Sequence, residues 1–123
     1  MATGRIWTYA PDSGHVEGQD LTGYAVVARD GTVGQVTRQA DPHGMRHLVV
    51  DSGVWLFGRS AVVPAGLVTG IDPRARRVSL ACTAGAVKAA PRFRIDSETR
   101  DARYLATVGE HYERLAVPRT ATD

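Results

Sequence analysis

Short apolar runs, each ended by glycine or proline, are the feature that most restricts how this chain can fold. Residues 54–72 read VWLFGRSAVVPAGLVTGID, and no apolar run within them is longer than VWLF. A proline inside a helix removes a backbone donor and clashes with the preceding turn, whereas at a strand end it costs little. We therefore interpret this stretch as short strands joined by turns and not as a helix.

The same β-rich pattern continues on both sides of this stretch. YAVVAR and VGQVTRQ flank Asp30-Gly31, a dipeptide that suits a tight hairpin turn because it tolerates positive φ. RHLVVD predicts a further strand, and RVSLA alternates so that Val78 and Leu80 face inward. Strands this short bury little as a flat sheet, so we expect a small barrel or two packed sheets.

The C-terminal segment has helical periodicity. Its apolar residues recur at steps of three or four: Leu105, Val108, Tyr112 and Leu115. This stripe predicts an amphipathic helix. Ser97 can cap it, and Glu98 and Asp101 suit the positive N-terminal end. The stripe either covers the chain's own barrel or contacts a second subunit or another protein.

Length and composition are those of one globular domain with an appendage. The chain has 123 residues, of which 43% are apolar and 23% charged. We expect a polar arm over residues 1–20, docked by Ile6, Trp7 and Tyr9, and a folded domain over 21–92. A helical extension over 93–116 and a disordered tail over 117–123 follow. No apolar run suits a membrane helix, the N-terminal residues lack a signal peptide's apolar centre, and Cys82 is the only cysteine, so we expect a cytoplasmic protein.

The charge pattern argues against nucleic acid as the partner. The net charge is only +2, and basic groups such as Arg74, Arg76 and Arg77 have acidic neighbours such as Asp72. A nucleic-acid-binding surface usually concentrates its basic residues and places aromatic residues among them. The alternative function is a barrel that binds a small ligand or RNA through its surface arginines.

Residue types that could support chemistry occur in DPHGMRHLVVD, which contains Asp41, His43, His47 and Asp51. A loop that runs into a strand does not bring these side chains together, so we interpret both histidines as exposed loop residues. Cys82 ends a strand and is expected to be a half-buried, inert thiol. The residues therefore predict no catalytic group, no metal ligand and no cofactor.

The order and spacing of LTGYAVVARDGTVGQV, LVVD, GVWLFGRSAVVPAGLVTGID and RVSLACTAGAVKAAP resemble the PRC-barrel domain family over residues 21–92. The resemblance is to the free-standing bacterial type. It implies a mainly β fold, a small closed or partly open antiparallel β-barrel with a short helix over residues 83–91, followed here by the amphipathic α-helix. In the family pattern, Gly31, Gly34, Pro64 and Pro91 are structural turn positions. The resemblance also implies a non-enzymatic adaptor that docks onto a protein or onto another copy of itself.

The run VWLF places apolar residues on both faces of a strand. Val54 and Leu56 share one face, and Trp55 and Phe57 share the other. Since a small barrel has one interior, an arm, a helix or a second copy must cover the second face. We therefore expect a protein-interaction module, with a homodimer as the main possibility. The predicted contact residues are Trp55, Phe57, Leu105, Val108, Tyr112 and Leu115.

Overall fold

A computed structural model describes residues 6–51, 60–91 and 99–121, with side chains as far as Arg114 in the last segment. The described strands are β1 (Ala25–Ala28), β2 (Gly31–Ala40), β3 (His47–Asp51), β4 (Ser60–Pro64), β5 (Val68–Asp72) and β6 (Arg77–Leu80). The α-helices are α1 (Ala84–Ala89) and α2 (Ala102–Ala121), and single 3₁₀ turns lie at Pro42–Gly44 and Ala65–Leu67. Trp55 and Phe57 lie outside the described residues.

The described strands form one mixed sheet in the order β4-β3-β2-β1-β6-β5. The prediction of a mainly β fold is therefore confirmed. The expectation of a purely antiparallel arrangement is wrong, because β1 and β6 pair in parallel, with Ala25 opposite Arg77. Among the described strands the sheet is also not closed, since β4 and β5 each pair on one side only.

A hairpin joins β1 and β2, as the sequence predicts, but its turn begins one residue before the expected Asp30-Gly31. Ala28 pairs with Gly31, so the two turn residues are Arg29 and Asp30. Gly31 has φ +149°, in the region that side chains rarely adopt. Gly34 lies within β2 opposite Val26, next to a β-bulge, and does not form a turn.

Strands β3 and β4 pair antiparallel from His47 opposite Pro64 to Asp51 opposite Ser60. Each has four consecutive buried residues, so neither shows the alternation of a strand with one face in water. Pro64 ends β4 in an extended conformation, as expected for a proline at the end of a strand. Both faces of this hairpin are therefore covered.

Both helices begin at side-chain caps. In α1, the Thr83 hydroxyl accepts a hydrogen bond from the Ala86 N–H at 3.2 Å. In α2, the Asp101 carboxylate accepts from the Arg103 N–H at 2.8 Å, whereas the predicted cap, Ser97, lies outside the described residues. The described backbone is helical to Ala121, although the sequence predicts an end at residue 116. Neither described helix is long and apolar enough to cross a membrane.

The backbone conformation of Gly31 gives a test of the hairpin. We expect Gly31→Val to lower the free energy of unfolding by about 1 to 3 kcal/mol, because a β-branched residue at this φ is strained. The matched control is Gly70→Val. Gly70 also lies in a strand with no atom within 4 Å of a built Cβ, but it has no positive φ. Chemical denaturation measures both variants, and equal losses would contradict the special role of Gly31.

Candidate functional site

The N-terminal arm packs against the sheet through the apolar residues that the sequence singles out. Ile6 and Trp7 are 9% and 4% exposed and belong to the hydrophobic core, and Tyr9 packs against it. The Ile6 carbonyl accepts a hydrogen bond from the Gly66 N–H at 2.7 Å. The arm therefore docks beside the end of β4 as part of the core.

Trp7 lies between β3 and α2. Its ring meets the His47 ring edge-on, with 6.4 Å between the ring centroids. On the helix side, a Cβ built on Gly109 would lie 3.1 Å from the nearest indole carbon. A glycine inside a helix costs about 1 kcal/mol relative to alanine, so its presence here has a packing reason. Gly109 allows the indole to approach the helix backbone.

A cavity of about 360 Å³ lies where the arm crosses the end of the sheet. Its lining comes from the arm, the end of β2 and the start of β3: Tyr9, His15, Gly18, Gln19, Asp20, Gln39, Ala40, Asp41, Arg46 and His47. The Gln39 side chain joins these parts, because it accepts from the Leu21 N–H at 2.7 Å and donates to the Gln19 carbonyl at 3.3 Å.

An aromatic and charged cluster forms the arm side of this cavity. The rings of Tyr9 and His15 stack with centroids 3.8 Å apart, and the Arg46 guanidinium lies 5.6 Å from the Tyr9 centroid. One Arg46 nitrogen lies 2.7 and 2.8 Å from the two carboxylate oxygens of Glu17. Glu17 is 75% exposed, so this ion pair orients the cluster more than it stabilises the fold.

His47 corrects the expectation of two exposed loop histidines. It is the first residue of β3 and only 1% exposed. Its Nδ1 lies 2.9 Å from the Met45 carbonyl, and its Nε2 is buried without a hydrogen-bond partner. Burial is the main cause that lowers the pKa of His47, while the Met45 carbonyl acts in the opposite direction.

The other residues with possible chemical roles have structural partners or are inert. His43 is exposed, as predicted, and its Nε2 donates to the Arg100 carbonyl at 2.9 Å. Burial raises the pKa of the Cys82 thiol to about 11, so this half-buried group is protonated at neutral pH. Among the described residues, no three potential ligands form a group that could hold a metal ion.

The helical stripe packs on its own sheet, which is the first of the two alternatives. Leu105 and Val108 are 0% exposed and Tyr112 is 3% exposed. The Tyr112 hydroxyl donates to the Val62 carbonyl in β4 at 3.3 Å. The Leu115 side chain, like Trp55 and Phe57, lies outside what the structure describes, so the predicted contacts of these three with another protein stay a prediction.

The described arginines of the predicted basic group lie at the turn between β5 and β6. Arg76 has φ +54°, and its guanidinium lies 5.6 Å from the Tyr24 ring centroid. The Asp72 carboxylate accepts hydrogen bonds from the backbone N–H groups of Arg74 and Ala75 at the same turn. These contacts fix the turn. A second basic pair in the sequence, Arg92 and Arg94, lies outside the described residues.

Sequence reasoning missed the junction of Trp7, His47 and Gly109. A glycine in the apolar stripe of an otherwise regular helix is a signal of close approach, and a lone tryptophan in a polar arm signals a docking residue. Neither signal identifies the other as its partner. Their contact depends on the folded path of the arm.

Comparison with known proteins adds no assignment. No family model matches the chain, and no curated protein is similar enough to count as a relative. The resemblance to the PRC-barrel domain stays a prediction from residues 21–92.

The contact between Trp7 and Gly109 can be tested by a double-mutant cycle. In a Trp7→Ala background we expect Gly109→Ala to stabilise the protein by about 1 kcal/mol, because alanine favours the helix. In the wild-type background the new methyl group meets the indole at 3.1 Å, so we expect the gain to shrink or become a loss.

Chemical denaturation of the four proteins gives the coupling energy, which for residues in contact is about 0.5 to 3 kcal/mol. Gly85→Ala in α1 is the control, since a Cβ there has its nearest neighbour at 3.8 Å. We expect its effect to be independent of Trp7. Additive effects of Trp7→Ala and Gly109→Ala would contradict the docked position of the arm.

Proposed function

We propose that this chain is a non-enzymatic protein-interaction module, similar to a PRC-barrel domain, that self-associates through Trp55 and Phe57. One observation carries the proposal. Residues of the two parts of the chain that could cover these aromatic residues, the arm and the α2 stripe, already belong to the described core.

The position of the arm supports this reading. Ile6 bonds to Gly66 and Trp7 contacts His47, so the arm lies at the end of the β3–β4 hairpin where His47 pairs with Pro64. Residues 52–59 connect the opposite end, where Asp51 pairs with Ser60. Four residue steps at about 3.4 Å each separate the two ends by roughly 14 Å.

The burial of the α2 stripe against the sheet also supports the proposed self-association. Leu105, Val108 and Tyr112 are buried against the sheet, with the Tyr112 hydroxyl on the Val62 carbonyl. Their apolar area is already removed from water by the chain itself. A second copy is the simplest remaining cover for Trp55 and Phe57, since most soluble oligomers are symmetric assemblies of one chain.

The rest of the described surface offers little apolar area for an alternative contact. Val16, at 62%, is the one large hydrophobic residue exposed among the described side chains. Large apolar side chains grouped in one short segment are typical of a contact surface, whereas a single exposed valine is ordinary. The run VWLF is therefore the strongest candidate for the contact.

The experiment measures molecular mass by light scattering over a dilution series. It compares the wild type with the double variant that carries Trp55→Ala and Phe57→Ala. Removing an aromatic residue at the centre of an interface typically costs about 2 kcal/mol or more, so we expect self-association to weaken at least about 30-fold. We expect the far-UV circular dichroism to be unchanged, because residues of a contact surface between copies can be truncated without loss of the fold of one chain.

Val16→Ala is the matched control, because it removes an exposed apolar group from the arm without touching residues 54–57. We expect it to leave the association constant unchanged. A wild type that stays monomeric at all concentrations would rule out self-association. An unfolded double variant would show that Trp55 and Phe57 belong to the core, which would contradict the proposal equally.

A further inference from the structure

The N-terminal arm packs against the sheet close to two histidines. His15 on the arm and His47 at the start of β3 both line the cavity beneath the arm. We propose that the arm, residues 6–20, is an acid-sensitive clasp, docked while His15 and His47 are neutral and released from the sheet when they take up protons. This inference does not depend on the proposed self-association.

The surroundings of His47 favour its neutral form when the arm is docked. A carbonyl oxygen can only accept, so the contact between Nδ1 and the Met45 carbonyl at 2.9 Å places the ring proton on Nδ1. The neutral ring then has a lone pair on Nε2, a buried atom with no hydrogen-bond partner. Protonation would place a second N–H at this position, in a ring that is 1% exposed, with no acceptor for it.

Charged groups of both signs lie around His47, and burial has the largest effect on its protonation. From the sheet, Arg38 opposes protonation and Asp41 favours it, and burial outweighs both. From the arm, the neighbour is the uncharged ring of Trp7. On the other side of that indole, α2 presents Gly109 and, one turn later, Glu113, whose Oε2 is buried without a partner. Protonation of His47 would therefore place a charge and an unpaired N–H in the buried site beside Trp7.

His15 adds a second site on the arm itself. Its ring stacks on Tyr9 at 3.8 Å, and Arg46 lies near the same Tyr9 ring. Burial is the main cause that lowers the pKa of His15, the Arg46 charge lowers it further, and Glu17 acts in the opposite direction. Protonation of His15 would thus place a second positive charge beside Arg46.

The direction of the pH effect follows from linkage. Both histidines have a pKa below the ordinary value of 6.5 while the arm is docked, so the released arm binds more protons than the docked arm. The contribution of the two neutral histidines to docking is therefore fully present above about pH 6.5 and is lost as the pH falls below it. At neutral pH the arm stays in place, and mild acid releases it.

Release would uncover two surfaces at once. The first is the apolar bed under Ile6 and Trp7. The second is the edge of β5, which has no further strand partner among the described residues. Gly14 lies against this edge, with a built Cβ 3.2 Å from the Ile71 carbonyl oxygen. An exposed strand edge can pair with another strand, so the clasp would control access to a second contact surface.

The test is the fluorescence of Trp7 in a Trp55→Phe variant, where it is the sole tryptophan. We expect its emission to move to longer wavelength as the pH falls from 8 towards 5, while the far-UV circular dichroism of the sheet stays constant. The doubly substituted protein, His15→Gln with His47→Gln, should lose this pH dependence. His43→Gln and His111→Gln are matched controls, since both side chains donate to carbonyls away from the arm, and they should keep it.

His15→Gln alone keeps the test valid if the His47 variant does not fold. It should reduce the number of protons taken up on release from about two to about one, visible as a shallower pH transition. Three results would overturn the clasp: constant Trp7 emission over the whole range, an emission change that coincides with loss of the sheet signal, or a full pH response in the histidine variants.

Discussion

The packing of Trp7 between His47 and Gly109 joins the three parts of this molecule. The arm has few large apolar residues, and Trp7 and Ile6 bring it into the core. The close approach to α2 is possible because residue 109 has no side chain, and a Cβ there would lie 3.1 Å from the indole. The positions of arm, sheet and helix therefore depend on one another through this ring.

The β3–β4 hairpin has contacts with both the arm and α2. The arm lies at one end of the hairpin, at His47 and Gly66, and Tyr112 bonds to Val62 near its middle. Four consecutive residues of each strand are buried. The hairpin is thus buried on both faces at the end where His47 pairs with Pro64. At its other end, where Asp51 pairs with Ser60, the chain continues into the apolar run 54–57.

The same junction combines stability with sensitivity to protons. A buried imidazole with one hydrogen bond is stable in its neutral form, and its protonation costs free energy because the charge is removed from water. His47 has this environment directly beside the residue that holds the arm, and His15 shares its cavity. The ion pair between Arg46 and Glu17 lies at the exposed side, where solvent weakens it. Control by protonation therefore depends on the buried ring and less on the surface charges.

Local signals in the sequence determined the hairpin between β1 and β2, although not the exact position of its turn, the inward positions Val78 and Leu80, the end of β4 at Pro64 and the amphipathic stripe on α2. Each depends on backbone preference or on periodicity within a few residues, which a sequence displays directly. The parallel pairing of Ala25 with Arg77, the burial of His47 and the contact of Trp7 with Gly109 were decided only by the tertiary structure. These contacts join residues far apart in the chain, and their free energy depends on which surfaces meet after the chain has folded.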